Sequence, residues 1–94
     1  MYAKKVAIPN ASGLHARPAS MFVAEASKFK SEITLKKLDA NGVEEKSCPA
    51  KSIVFVLTMG LAQGTVIEIV AEGEDEQAAV DTLAKLVEDG FGEL

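Results

Sequence analysis

At Pro18 the spacing of the apolar residues changes. Before it, Val6 and Ile8 share one face of "KKVAI", the period-two pattern of a strand, which ends at Pro9. After it, Ala19, Phe22, Val23, Ala26 and Phe29 recur at the spacing of an amphipathic helix. Neither an all-helical nor an all-strand architecture absorbs both periods. Between them lies "NASG", which is turn chemistry. Pro18 suits the first helical position, where a missing N–H costs nothing, so the helix is expected to begin near Arg17 or Pro18. Lys28 and Lys30 are expected to complement the negative end of its dipole.

The alternation of periods continues. "SEITLKKL" puts Ile33 and Leu35 on one face of a strand, and "DANG" offers Asn41-Gly42 as a hairpin turn. "VEEKSC" is a short polar partner strand ended by Pro49. "SIVFVLTMG" reads two ways: its β-branched residues favour a strand, while Ser52 as a cap and Gly60 as a terminator favour a short helix. "TVIEIVAE" is a strand with Ile67, Ile69 and Ala71 on one face. "GEDEQAAVDTLAKLVEDG" is a helix with acids in its first turn, an apolar stripe of Val80, Leu83, Ala84 and Val87, and Gly90 just past its end. The order β-α-β-β-(α)-β-α describes an α+β open-faced sandwich, an antiparallel or mixed sheet with helices on one face.

Residues 1–94 are expected to form a single domain, a length that supports one modest core. The one cysteine, Cys48, allows no intramolecular disulfide, which fits a reducing compartment. The first residues hold no apolar run long enough for a signal peptide. Ile53 to Leu57 is far short of the ~20 residues that span a bilayer. A cytoplasmic location is therefore expected, without membrane insertion. A net charge of −4 argues against nucleic acid as a partner. The charge is uneven: residues 72–94 carry eight acids against Lys85 alone, so the remainder is mildly basic and suited to an anion or an acidic surface.

The only histidine, His15, and the only arginine, Arg17, stand two residues apart in "ASGLHARPAS". A helix begins just after them. Its first N–H groups lack internal partners and its dipole is positive there, so an anion is favoured. Arg17 adds a planar fork of donors matched to phosphate oxygens. A neutral imidazole is a nucleophile near pH 7. The pair is thus equipped to carry a phosphoryl group, with Ser12 and Gly13 shaping the approach. On spacing alone, a surface or capping histidine is the commoner case. No second histidine or ligand cluster points to a metal, and no Gly-rich Walker loop points to a nucleotide, so no cofactor is expected.

"GLHARPAS" resembles the active-site signature of the HPr family, the histidine-containing phosphocarriers of the bacterial phosphoenolpyruvate-dependent sugar phosphotransferase system. "AKSIVFVLTMGLAQGT" resembles the family's second signature, and "AEGEDEQAAV" resembles the start of its last helix. The likeness runs in order along nearly the whole chain. It implies a four-stranded antiparallel sheet covered by three helices, with the undecided "SIVFVLTM" segment a helix. It implies that His15 accepts phosphate on Nδ1 from enzyme I and passes it to EIIA domains of sugar permeases, as a carrier and not an enzyme. Arg17 would neutralise the phosphate, within an active-site loop of Ser12, Gly13, Ala16 and Pro18.

The resemblance implies a second site at Ser52, phosphorylated by an HPr kinase/phosphorylase and linked to a catabolite-control transcription regulator. The short helix after Ser52 cannot bury all five of its apolar side chains. An exposed apolar patch beside a reactive group marks a docking site. Ile53, Val54 and Leu57, with Ser20, are the candidates. Two or more of the five are expected to be core instead. The stretch from Leu38 to Pro49 looks longer than is common in the family, Val54 replaces a bulkier residue, and Cys48 has no family role. Alternatives are a paralogue of a fructose- or nitrogen-related branch, or a mainly regulatory corepressor. A carrier that visits several partners is expected to be a monomer.

Overall fold

The computed structural model describes residues 1–94. Strand β1 (Tyr2–Ala7) is followed by helix α1 (Ala16–Ala26), strands β2 (Glu32–Leu38) and β3 (Glu44–Pro49), helix α2 (Ile53–Leu57), strand β4 (Val66–Glu72) and helix α3 (Glu76–Glu88). A 3₁₀ turn over Gly90–Gly92 closes the chain. The four strands form one sheet in the order β1-β4-β2-β3, and every pairing is antiparallel. No helix is long and apolar enough to cross a membrane.

The period-two pattern sets the register. Val6 faces Ile67 across β1 and β4, and Leu35 faces Ile69 across β2 and β4. Slipping either pair by one residue would turn these side chains out to water. All four join one core with Phe22 of α1, Val56 of α2, and Val80, Leu83 and Val87 of α3. Phe22, Leu35, Ile67, Ile69 and Leu83 are fully buried, each worth about 1.5–3 kcal/mol relative to exposure. Helix α3 lies over β1 and β4, and α1 packs against both α2 and α3. The opposite face of the sheet aligns Lys5, Glu68 and Lys36 in one row and stays open to solvent. This is the expected open-faced sandwich.

Three local details differ from the expectation. Helix α1 starts at Ala16, so Pro18 is its third residue. The ring is tolerated there for the same reason, because none of the first four N–H groups has an intrahelical acceptor. The helix ends at Ala26, which leaves Lys28 and Lys30 beyond its last turn. Lys28 instead pairs with Glu25 at 3.0 Å. The β2–β3 connection spans residues 39–43 and is not a two-residue turn. The Asp39 carboxylate accepts the amides of Asn41 and Val43 at 2.8 and 2.9 Å and organises the loop.

The acids before α3 also work differently from a simple dipole complement. Only Glu76 lies in the first turn, and its Oε1 accepts the Gly73 amide at 3.1 Å. Asp75 occupies the N-cap position but makes no capping bond to its own helix. Its carboxylate accepts the amides of Lys30 and Ser31, at 2.8 and 2.9 Å, and the Ser31 hydroxyl. The start of α3 is thereby tied to the α1–β2 connection.

Candidate functional site

The loop from Ile8 to His15 is stitched to the loop from Gly60 to Thr65. The Ile8 amide donates to Thr65, the Gly64 amide to Ile8 and the Leu14 amide to Leu61, at 2.9, 2.8 and 2.8 Å. The Gln63 side-chain amide donates to the Pro9 carbonyl at 3.0 Å. Leu14 and Leu61 are buried beneath this seam. Gly13 sits at φ +61, and a Cβ there would collide with the Leu61 carbonyl oxygen. Glycine is thus required twice, for its conformation and for its lack of a side chain.

With the loop held from below, His15 is delivered to the N-cap of α1. Its backbone is extended, at φ −107 and ψ 160, and its carbonyl accepts the Ala19 amide at 3.2 Å. Its side chain is exposed and makes no capping bond. Ala16 follows at φ +34, a left-handed conformation that costs an alanine about 1–2 kcal/mol. Pro18 and Ala19 then anchor the helix in the core, while Arg17 and Ser20 remain exposed. None of the four surface concavities includes His15 or Arg17. The imidazole stands on open surface, where a partner protein can reach it.

Two polar residues that sequence reasoning missed, Asn10 and Glu93, join the expected Ser12 and Arg17 here. Ser12 donates to Glu93 Oε1 at 2.6 Å, and the buried Asn10 donates to the same oxygen at 2.9 Å. Asn10 Nδ2 also lies 3.0 Å from the Gly13 carbonyl. Arg17 approaches the other Glu93 oxygen at 3.9 Å. The bonds from Ser12 and Asn10, and secondarily the Arg17 charge, hold the Glu93 carboxyl below the usual range. Residues more than 80 apart meet here. No local pattern announces that contact.

Helix α2 sorts its apolar residues cleanly. Val56 is fully buried, Ile53 is half-buried against the core, and Val54, Phe55 and Leu57 are 65%, 55% and 44% exposed. Phe55 is the largest of the exposed side chains and was not among the expected docking residues. The spacing of Ile53, Val56 and Met59 points one stripe inward and would have found it. Ser52 is the N-cap residue by position, and its carbonyl accepts the Val56 amide at 3.0 Å. Its hydroxyl makes no capping bond. Cys48 is buried, and desolvation pushes its thiol up from the ordinary value.

Known proteins resemble this chain in sequence and fold. The family model described as "PTS HPr component phosphorylation site" matches residues 2–89. The chain is 48% identical over 87 residues to the phosphocarrier protein HPr of Haemophilus influenzae, an alignment covering 93% of this chain and 95% of that one. It is 38% identical over 89 residues to the HPr-like protein Crh of Bacillus subtilis, covering 95% and 98%. The crystal structure of HPr-C-His from Thermoanaerobacter tengcongensis superposes with a TM-score of 0.89 at 42% identity, over 100% of this chain and 99% of that one. Fold, loop and near full-length likeness agree, and the chain belongs to the HPr family of the phosphotransferase system.

Proposed function

We propose that the chain is a phosphocarrier in which His15 Nδ1 takes a phosphoryl group from enzyme I and yields it to EIIA domains of sugar permeases. The observation that carries this reading is His15 itself, exposed at the N-cap of α1 with Arg17 two residues on. Unprotonated Nδ1 attacks phosphorus in line, its new bond forms as the bond to the donor atom on enzyme I breaks, and in the second transfer a nucleophile of the EIIA domain attacks the phosphorus as its bond to Nδ1 breaks. The helix N-terminus and Arg17 offset the charge that arrives. Open surroundings favour transit between partners. An HPr-type carrier is a relay component and not a catalyst.

The docking surface of this proposal is the exposed part of α2, Val54, Phe55 and Leu57, with half-buried Ile53 and with Ser20 of α1. Helix α2 lies against α1, whose first turn follows His15. Ser52 is the proposed regulatory position, with an HPr kinase/phosphorylase and a catabolite-control regulator as its partners. Its hydroxyl is free of a capping bond, and a phosphate there would place about −2 charge at the edge of the patch. Likeness to Crh, described as a catabolite repression HPr, supports this second role. The chain acts as a single monomeric domain in the cytoplasm.

The relay is tested by charging the protein with labelled phosphoenolpyruvate and enzyme I, then adding an EIIA domain. Label is expected first on this chain and then on the acceptor. Label that never leaves the chain contradicts the carrier reading.

A further inference from the structure

Among the side chains of residues 50–57, Lys51 alone hydrogen-bonds to another element. Its Nζ donates to the Phe29 carbonyl at 2.7 Å, just past the end of α1. That carbonyl is a fixed point. The Phe29 amide donates to Ala26 at 3.2 Å, and the Phe29 ring packs against the core. On its other side the amides of Lys30 and Ser31 are held by the Asp75 carboxylate at 2.8 and 2.9 Å. A charged donor on a backbone carbonyl makes a stronger tie than a neutral one.

The segment that Lys51 ties down has little to hold it otherwise. Helix α2 has five residues, a length that does not sustain a helix by itself in water. Its orientation is set by its attachments. Val56 is its one buried residue, with Ile53 half-buried beside it. Ahead of the helix, the buried Ala50 donates its amide to Ile33 of β2 at 2.9 Å. Lys51 supplies the matching attachment on the side of α1, the helix whose first turn follows His15.

We infer that Lys51 is a positioning residue for partner docking: its bond to the Phe29 carbonyl holds α2 so that Val54, Phe55 and Leu57 face a partner in one orientation. This deepens the docking reading proposed above and rests on it. Without the tie, α2 samples other orientations. The apparent affinity for the partner then falls with the fraction of chains that present the patch correctly.

The test uses Lys51→Met, which keeps a long unbranched stem and removes the donor. The KM of enzyme I for this chain is expected to rise by about two- to fivefold, the scale of one exposed charged contact, with kcat unchanged because His15 and Arg17 are intact. In the free variant, hydrogen exchange at the Val56 amide, which bonds Ser52 within α2, is expected to quicken while amides of β4 keep their rates. Lys51→Arg is expected to restore both readings, since a charged donor returns. A raised KM with wild-type exchange at Val56 would mean that Lys51 touches the partner directly, and would overturn the positioning role. Exchange that quickens equally throughout the protein, or a fall in kcat at constant KM, would overturn it too. Phe55→Ser is measured alongside. If it raises KM and Lys51→Met does not, this inference alone fails; if it also leaves KM unchanged, the docking reading fails and takes this inference with it.

Discussion

The Leu14 amide donates to the Leu61 carbonyl at 2.8 Å, and Gly13 leaves no room for a Cβ beside that same oxygen. The loop that carries His15 therefore rests on the loop that follows α2. Gly13→Ala forces the backbone out of φ +61 and pushes the two loops apart. The expected cost is about 2 kcal/mol or more, a fall in Tm of roughly 10 °C for a domain of this size. Thermal unfolding measures it. An unchanged Tm would mean that the seam is not under constraint.

Arg17 is exposed, so its removal tests charge and not folding. Arg17→Ala is expected to leave Tm unchanged and to slow phosphoryl transfer from enzyme I by about a hundredfold, the lower end of the range for losing one transition-state donor. Arg17→Lys is expected to recover part of the rate, because a point charge remains while the planar fork is lost. Rapid-quench kinetics on both variants separates the two contributions.

The exposed face of α2 predicts a binding defect. Val54→Asp and Phe55→Ser are each expected to raise the KM of enzyme I for this chain by about tenfold, the scale of a moderate interface residue, with little change in Tm. Val56→Ala is the contrast: this residue is fully buried, and truncation is expected to cost about 1–3 kcal/mol of stability. If the two exposed positions changed stability and left KM alone, the patch would belong to the fold.

Asp75 predicts an acid-sensitive contact. The Ser31 hydroxyl and the amides of Lys30 and Ser31 lower its carboxyl to about 2. Its folded value lies below the unfolded value of about 3.9, so the stabilisation is complete above that value and is lost as pH falls through about 2. Asp75→Ala is expected to lower Tm at neutral pH, with the gap to wild type closing as pH drops from about 4 to about 2. A gap independent of pH would place the effect of the variant elsewhere.

Where periodicity was strong, the fold was legible. The inward faces of Val6, Leu35, Ile67 and Ile69 follow from alternation alone, while the pairing of β4 with both β1 and β2 does not, and the stripe of Val80, Leu83 and Val87 orients α3. "SIVFVLTM" was not legible from propensity, because five consecutive apolar residues fit a strand as well as a helix. Only its likeness to a known signature decided the matter. His15 and Arg17 stood out because each is the only residue of its kind. Asn10 and Glu93 did not, since their meeting depends on the turn at Gly90 bringing the tail across the molecule. The left-handed backbone of Ala16 was equally hidden, because nothing about an alanine predicts φ +34.

The central claim is that His15 carries the phosphoryl group. Incubation with enzyme I and labelled phosphoenolpyruvate is predicted to give one label per chain, lost in acid, kept in base and absent from His15→Ala. Label that survives acid, or that persists on His15→Ala, would contradict the assignment.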